Sequence, residues 1–269
     1  MSLTHVSVVV CSIDARKFER VSANYRRLLG SSLLEIIGIH DARSLAEGYN
    51  RGLDVACGDV IVFSHDDIEI LSPDFAARLQ EHLGVYDLIG IAGTTRLIGG
   101  GWYLSGHPFD YMLVISPHPE TGQLTMIIEG GGALVVPGIQ GLDGVFLATR
   151  APVARALRFD AATFDHFHLY DLDFSYRAFL SGFRLAVCRD LVLIHQSQGN
   201  YSDRWDHYRR RFERKFSGRL ASALKRRDPR IVNVSLGEAV LGKCAEVARL
   251  CRPETLAGFV ARLDPVQPP

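Results

Sequence analysis

The run Gly58-Asp59-Val60-Ile61-Val62-Phe63-Ser64-His65-Asp66-Asp67 carries an apolar segment into one imidazole and two carboxylates. Val60 to Phe63 has the length and composition of a strand buried on both faces. Carboxylates at the carboxyl end of such a strand lie where open α/β sheets place their ligands. A divalent cation bridging to phosphate would account for polar groups gathered there. An acidic surface turn is the plainer reading of the same residues. A second group, Asp165, His166 and His168, alternates with Phe167 and Leu169. These side chains could converge on a metal, but their spacing is not that of a strong metal site. A loop lining a pocket, or plain structure, is the favoured reading of them. The triplets Gly99-Gly100-Gly101 and Gly130-Gly131-Gly132 are not phosphate loops, because no Gly-Lys-Ser/Thr follows them.

The elements that must position these groups alternate between strand and helix. Val6 to Cys11 reads as a first buried strand, with Ser12 and Asp14 as turn or cap residues. Ala15 to Leu29 has helical spacing (Phe18, Val21, Tyr25, Leu28) and stops at Gly30. Leu33 to Ile39 is a second strand, ending at His40-Asp41, and Ser44 to Ala56 a second helix. Val60 to Phe63 follows as the third strand. Pro73 opens a helix over Phe75 to Leu83, and Leu88 to Ala92 is a fourth strand. This order implies parallel pairing with right-handed crossovers. From residue 94 to 132 the pattern changes to irregular loop and antiparallel strand material. Val145 to Thr149 reads as a strand, Leu169 to Leu180 as a helix and Arg184 to Val187 as a short strand. A strongly basic helix is expected from Asp203 to Arg227, then a further helical segment past Arg230 and a Pro-rich tail at Pro265 to Pro269.

Composition sets the outer bounds. The chain has 269 residues, 47% hydrophobic and 22% charged, an ordinary soluble balance. At this size folding buries about 70–75% of the unfolded surface, so no staples are needed. Thirty basic and thirty acidic residues give zero formal charge, which argues against a nucleic-acid partner. The five cysteines, Cys11, Cys57, Cys188, Cys244 and Cys251, form no Cys-x-x-Cys pair. Cys11, Cys57 and Cys188 sit beside or in apolar runs and are expected as core thiols in a reducing cytosol. The start of the chain lacks a signal-peptide pattern, and no apolar run approaches the roughly 18 residues of a membrane span.

Three segments together carry a family resemblance. Leu45-Ala46-Glu47-Gly48-Tyr49-Asn50-Arg51-Gly52-Leu53, followed by Gly58 to Phe63 and His65-Asp66-Asp67, resembles the nucleotide-sugar domain of family 2 glycosyltransferases. Leu142-Asp143-Gly144-Val145-Phe146-Leu147-Ala148-Thr149-Arg150 is similar to that family's acceptor-side strand. Tyr170-Asp171-Leu172-Asp173-Phe174-Ser175-Tyr176-Arg177, with Gly182-Phe183-Arg184, is similar to its Glu-Asp-x-Asp helix and Gly-Tyr-Arg turn. The match covers residues 6 to 201. It implies the GT-A fold, an α/β architecture with a mixed, mostly parallel sheet flanked by helices and a Rossmann-like nucleotide-binding half. The domain would span 1–201, with a helical C-terminal extension over 202–269. The resemblance further implies a nucleotide-sugar donor, most often a UDP-sugar, a divalent metal (manganese or magnesium), and inverting transfer to an acceptor hydroxyl.

The resemblance assigns roles residue by residue. The family's Asp-x-Asp motif falls on His65-Asp66-Asp67, which makes Asp67 the direct metal ligand. His65 stands where the family has its first aspartate, as a ligand suited to manganese rather than magnesium, or as a donor to ribose or phosphate. Asp66 faces the donor or caps the turn. Asp171 matches the general base, with Tyr170 in place of the family's glutamate; the plain alternative is an acid favoured by the helix dipole. Asp173, two residues on, does not share a helix face with Asp171 and is expected to brace the helix start. His195 resembles a third metal ligand or a pyrophosphate contact, and a structural histidine fits too. On the donor side, Asp41 ends the second strand where the family binds the base. Ser12 and Asp14 take the place of its Pro-x-x-Asn-Glu, Asp14 being equally a helix N-cap. Trp102 and Tyr103 suit stacking on a sugar ring or core packing. The basic helix 203–227 is either a solvated face or a peripheral contact for an anionic membrane or a polyanionic acceptor, so a cytoplasmic location leaves membrane association open. Because His65 and Tyr170 depart from the family pattern, a non-catalytic nucleotide-sugar-binding or assembly module is the alternative to an enzyme. A sugar nucleotidyltransferase would want a Gly-rich basic loop after the first strand, and Cys11 to Ala15 offers none.

Overall fold

The computed structural model describes residues 5–30, 34–118, 120–197, 199, 201–223, 228–236 and 252–261. Its central sheet is built from buried apolar runs. Strands β1 (Val6–Cys11), β2 (Leu34–Ile39) and β3 (Val60–Ser64) pair in parallel in the order β2-β1-β3. Helices α1 (Ala15–Leu29) and α2 (Leu45–Val55) make the crossovers. Asp14 caps α1 by accepting from the amides of Arg16 and Lys17, and Ser44 caps α2 by accepting from Glu47. The sheet continues through β11 (Phe146–Arg150), β5 (Leu88–Gly90), β12 (Leu185–Cys188) and β9 (Val135–Pro137). Only β11 and β9 run against the rest, so the sheet is mixed with most strands sharing one direction, as expected of the GT-A architecture.

Alternation along each strand divides the core in two. Val6, Val8, Val10, Val60 and Val62 face one layer, where α1 and α3 (Phe75–Val85) contribute Val21, Tyr25, Phe75 and Leu79. Val9, Ile61 and Phe63 face the other, filled by Tyr49 and Leu53 of α2 and by residues of α4 (Ala151–Leu157) and α5 (Tyr170–Leu180). Helix α6 (Asp203–Lys215) adds Tyr208 and Phe212 to this second layer. The boundary expected after residue 201 therefore precedes a helix that shares the main core.

A second sheet fills the stretch that resisted pattern reading. Its order is β10 (Gly141–Leu142), β6 (Ala92–Thr94), β7 (Asp110–Pro117), β13 (Leu193–His195) and β4 (Ile68–Ile70), with β8 (Leu124–Glu129) on β7 and β14 (Ile231–Ser235) on β8. Leu113, Ile115, Met126 and Ile128 point to a third apolar cluster, which includes Leu256 and Val260 of α7 (Pro253–Ala261). Alternate residues Met112, Val114 and Ile127 point the other way, into a cavity. The C-terminal extension is not wholly helical: β14 stands where a helical segment was expected past Arg230.

Two further expectations are corrected. The basic helix ends at Lys215, not near residue 227; Lys225, Arg226 and Arg227 lie outside the described residues, as do Cys244, Cys251 and the Pro-rich tail. Much of its charge is spent internally. Arg209 pairs with Asp206 and Glu213, Arg210 with Asp206, Arg211 with Asp165, and Lys215 with Asp160 and Asp173. Cys57 is exposed rather than a core thiol, whereas Cys188 is buried; these two and Cys11 are free. Among the described residues no helix is long and apolar enough to cross a membrane.

Candidate functional site

The polar end of β3 runs into a short antiparallel pairing that defines the site. β4 begins right after Asp67, and β13 pairs with it so that His195 lies opposite Ile68. Gln196 then donates its amide to the Asp67 carbonyl at 3.0 Å. This register delivers His195, distant in sequence, to the His65–Asp67 turn. His195 Nε2 lies 3.4 Å from Asp67 Oδ1, and His65 Nδ1 lies 3.9 Å from the same oxygen. One ligand atom from each of the three falls within 4.8 Å of the others. Burial pushes the Asp67 carboxyl up, but hydrogen bonds from His195 and Ser197 and the charge of the two imidazoles outweigh it and hold the group well below the usual carboxylate range. Burial, reinforced by His195, pushes the His65 imidazole down toward its neutral, ligating form. Two imidazoles and one carboxylate form a donor set that fits a divalent cation, with imidazole favouring manganese or a later transition metal over magnesium.

The two departures from the family pattern touch each other. His65 Nε2 lies 3.0 Å from the Tyr170 hydroxyl. That contact orients the ring and turns Nδ1 toward Asp67, the arrangement by which an outer partner fixes a ligating histidine.

Tyr170 and Asp171 open α5, and the chain enters that helix through Leu169 in a left-handed conformation (φ 61°, ψ 4°) that is rare for leucine. Leu169 is packed in the core, which holds the backbone there. The facing turn, Asp143-Gly144-Val145, needs its glycine. A Cβ at position 144 would sit 2.4 Å from the Tyr170 hydroxyl and 2.7 Å from Asp171 Cβ. Gly144 donates its amide to Asp171 Oδ2 at 2.8 Å. Burial and the nearby Asp143 carboxylate push the Asp171 carboxyl up to about 7. A carboxylate poised near neutrality is what a general base requires.

Asp171, Asp143, His65 and His195 all line a cavity of about 740 Å³, within the range of small-ligand sites. Ser12 and Asp66 lie just past the ends of β1 and β3. Ser12 donates to Asp66 Oδ2 at 2.6 Å, and its carbonyl contacts His40 Nδ1 at 2.8 Å. Asp14 is occupied as the α1 cap, and Asp41 is exposed and paired with Arg51 at 2.8 Å. Asp173 is fully buried and takes Arg177 and Lys215, which ties α6 to α5; it braces the helix more widely than at its start. His166 stacks on His168 and contacts Arg204, while Asp165 accepts from Tyr208 and Arg211; these three do not converge as a ligand set. Sequence reasoning passed over Asp143 and Ser197. An Asp-Gly pair directly before a strand was the available signal for the first.

A family model described as a glycosyltransferase-like family matches residues 7–216, most of the chain. The protein belongs to this glycosyltransferase-like family. The match includes the His65-Asp66-Asp67 turn, Asp171 and His195, and extends through α6. Among solved structures, the chain is similar to the mannosyltransferase PcManGT from Pyrobaculum calidifontis in complex with GDP-Man and Mn2+. Identity is 14% and the TM-score 0.46, over 76% of this chain and 60% of that one. It is also similar to A197 from STIV (12% identity, TM-score 0.39, 74% of this chain and 97% of that one). GalNAc-T7 with UDP, GalNAc and Mn2+ matches at 12% identity and a TM-score of 0.42, over 74% of this chain and 45% of that one. The chain thus spans less than two thirds of the mannosyltransferase. No curated protein matches it by sequence.

Proposed function

We propose that this protein is a metal-dependent, inverting glycosyltransferase that moves a sugar from a nucleotide sugar, a UDP-sugar by preference, to an acceptor hydroxyl. The observation that carries the reading is one cavity lined both by His65 and His195, two members of the His65–Asp67–His195 cluster, and by Asp171, a buried carboxylate poised near neutrality. His65, Asp67 and His195 would hold manganese. When bound, the cation neutralises charge developing on the departing diphosphate. Ser12 and Asp66 sit on the nucleotide side, with Asp14 and Asp41 flanking that edge. Asp171 takes the proton of the acceptor hydroxyl as its oxygen bonds to the anomeric carbon and the bond from that carbon to the diphosphate oxygen breaks. The cytoplasmic setting belongs to the same proposal and is supported by the free thiols.

The test is calorimetry with UDP- and GDP-sugars, with and without manganese. Wild-type protein should bind a nucleotide sugar in a manganese-dependent manner, and Asp67→Ala should lose metal and donor together. Unchanged metal-dependent binding in that variant would refute the ligand assignment. Donor binding without hydrolysis or transfer would instead point to a non-catalytic nucleotide-sugar-binding module.

A further inference from the structure

Two distant segments build an aromatic wall on the cavity. Trp102 and Tyr103 follow the first glycine triplet; Tyr201 and Trp205 lie just before and within the start of α6. Their rings form a continuous edge-to-face chain. Trp102 meets Tyr103 at 5.8 Å and 88°, Tyr103 meets Tyr201 at 5.7 Å and 81°, and Tyr201 meets Trp205 at 5.2 Å and 78°. All four line the cavity. Each of the four therefore presents part of its side chain to the cavity. Tyr201 keeps 63% of its surface exposed at the rim.

The wall is held rigidly, against the flexibility that a glycine triplet suggests. Gly100 donates its amide to Glu213 Oε1 at 3.2 Å, and Glu213 is paired to Arg209. A Cβ at position 100 would lie 2.6 Å from Arg209 Cγ and 3.1 Å from its Cα. Glycine here permits the loop to lie directly on α6, so the basic helix and the glycine loop set the ring positions together. At the inner end the Trp102 indole donates to Asp143 Oδ2 at 2.9 Å, next to Asp171.

We infer that this wall is the acceptor subsite of the glycosyltransferase and that its occupant is a pyranose sugar, stacked on the aromatic faces with hydroxyls directed at Asp143 and Asp171. The inference rests on the function proposed above and adds the acceptor's chemical class. A pyranose has an apolar C–H face and a hydroxyl edge, which match rings and carboxylates in one pocket. An alkyl or polyprenyl chain would match the rings alone and would leave the Asp143 and Asp171 carboxylates against hydrocarbon, a costly arrangement. A wall already ordered before binding loses little freedom when occupied.

Both tryptophans of the chain, Trp102 and Trp205, lie in this wall, so intrinsic tryptophan emission reports on it directly. The experiment titrates wild-type protein with methyl pyranosides of glucose, galactose, mannose and N-acetylglucosamine, and with 1-octanol as the rival occupant. At least one pyranoside should change the emission saturably and octanol should not. Tyr201→Ala, altering an exposed ring, and Trp102→Phe, which keeps a ring but loses the indole donor, should each weaken that pyranoside about threefold to tenfold. Saturation by octanol alone, no saturable response to any pyranoside, or unchanged affinity in both variants would overturn the inference. Manganese-dependent nucleotide binding, measured on the same preparations, separates the two readings. Its absence from the wild type sinks the glycosyltransferase proposal, whereas its presence without pyranoside binding sinks the acceptor assignment alone.

Discussion

Replacing Asp171 with asparagine should remove activity and add stability, and the two effects share one cause. Burial and the Asp143 carboxylate move the Asp171 ionisation from the ordinary 3.8 to about 7. Between these values the folded chain keeps a proton that the unfolded chain has released. Folded-state stability therefore falls as pH rises through that window and levels off above it. With about 1.4 kcal/mol for each tenfold change in proton affinity, the raised ionisation of Asp171 costs about 4 kcal/mol at pH 8, where the folded carboxyl is ionised, and about 2 kcal/mol at pH 5, where it keeps its proton. Asparagine cannot ionise, and its side-chain oxygen can still accept the Gly144 amide. Urea unfolding should show Asp171→Asn more stable than wild type by up to about 4 kcal/mol at pH 8, with less than half that gain at pH 5. Wild-type transfer should fall about tenfold per pH unit below pH 7, as the base is protonated. The reasoning fails if the stability gain does not grow with pH, or if the variant transfers sugar at the wild-type rate.

Three further outcomes follow from the same geometry. Tyr170→Phe removes the hydroxyl that orients His65 and should weaken manganese binding about tenfold to a hundredfold by calorimetry; unaltered affinity would show that the contact does not position the ring. Manganese should support transfer at concentrations at least about tenfold lower than magnesium, because two of the three donors are imidazoles, and a chelator should abolish activity until manganese is restored; equal response to both metals would count against His65 and His195 as ligands. Asp173→Ala strands Arg177 and Lys215 beside a fully buried position and should cost about 3 kcal/mol, read as a lowered midpoint in thermal unfolding, with a change of under about 1 kcal/mol showing that the two cations find other partners.

The first half of the fold was legible because its strands are buried on both faces and separated by capped helices. β1 and α1 have the boundaries that apolar runs and turn residues indicate. The second sheet was not legible. β4, β6 and β13 have three residues each, too few to show a period, and β4 finds its partner β13 far along the chain. The same split runs through the site. Asp67, Asp171 and His195 could be selected by residue type and by the family pattern. Their company could not: the contact between His65 and Tyr170, and the approach of His195 to Asp67, depend on long-range pairing. Asp143 was hidden within a turn, and its effect on Asp171 becomes visible only when Gly144 is seen to let α5 approach. β14 escaped notice because its residues alternate between exposed and half-buried and pack mainly against β8.

The pairing of β4 with β13 gives the candidate metal cluster an all-or-none character. Side chains alternate across a strand, so slipping β13 by one residue would turn His195 to the opposite face and bring Ile194 toward Asp67. No intermediate register offers a weakened version of the three-residue set. An ion held there would act as a rivet between two chain segments separated by most of the domain, absent from the unfolded chain, and its binding energy would count directly toward holding the second sheet in register. Metal occupancy and the integrity of the cavity, which that sheet lines with Met112, Val114 and Ile127, would then rise and fall together.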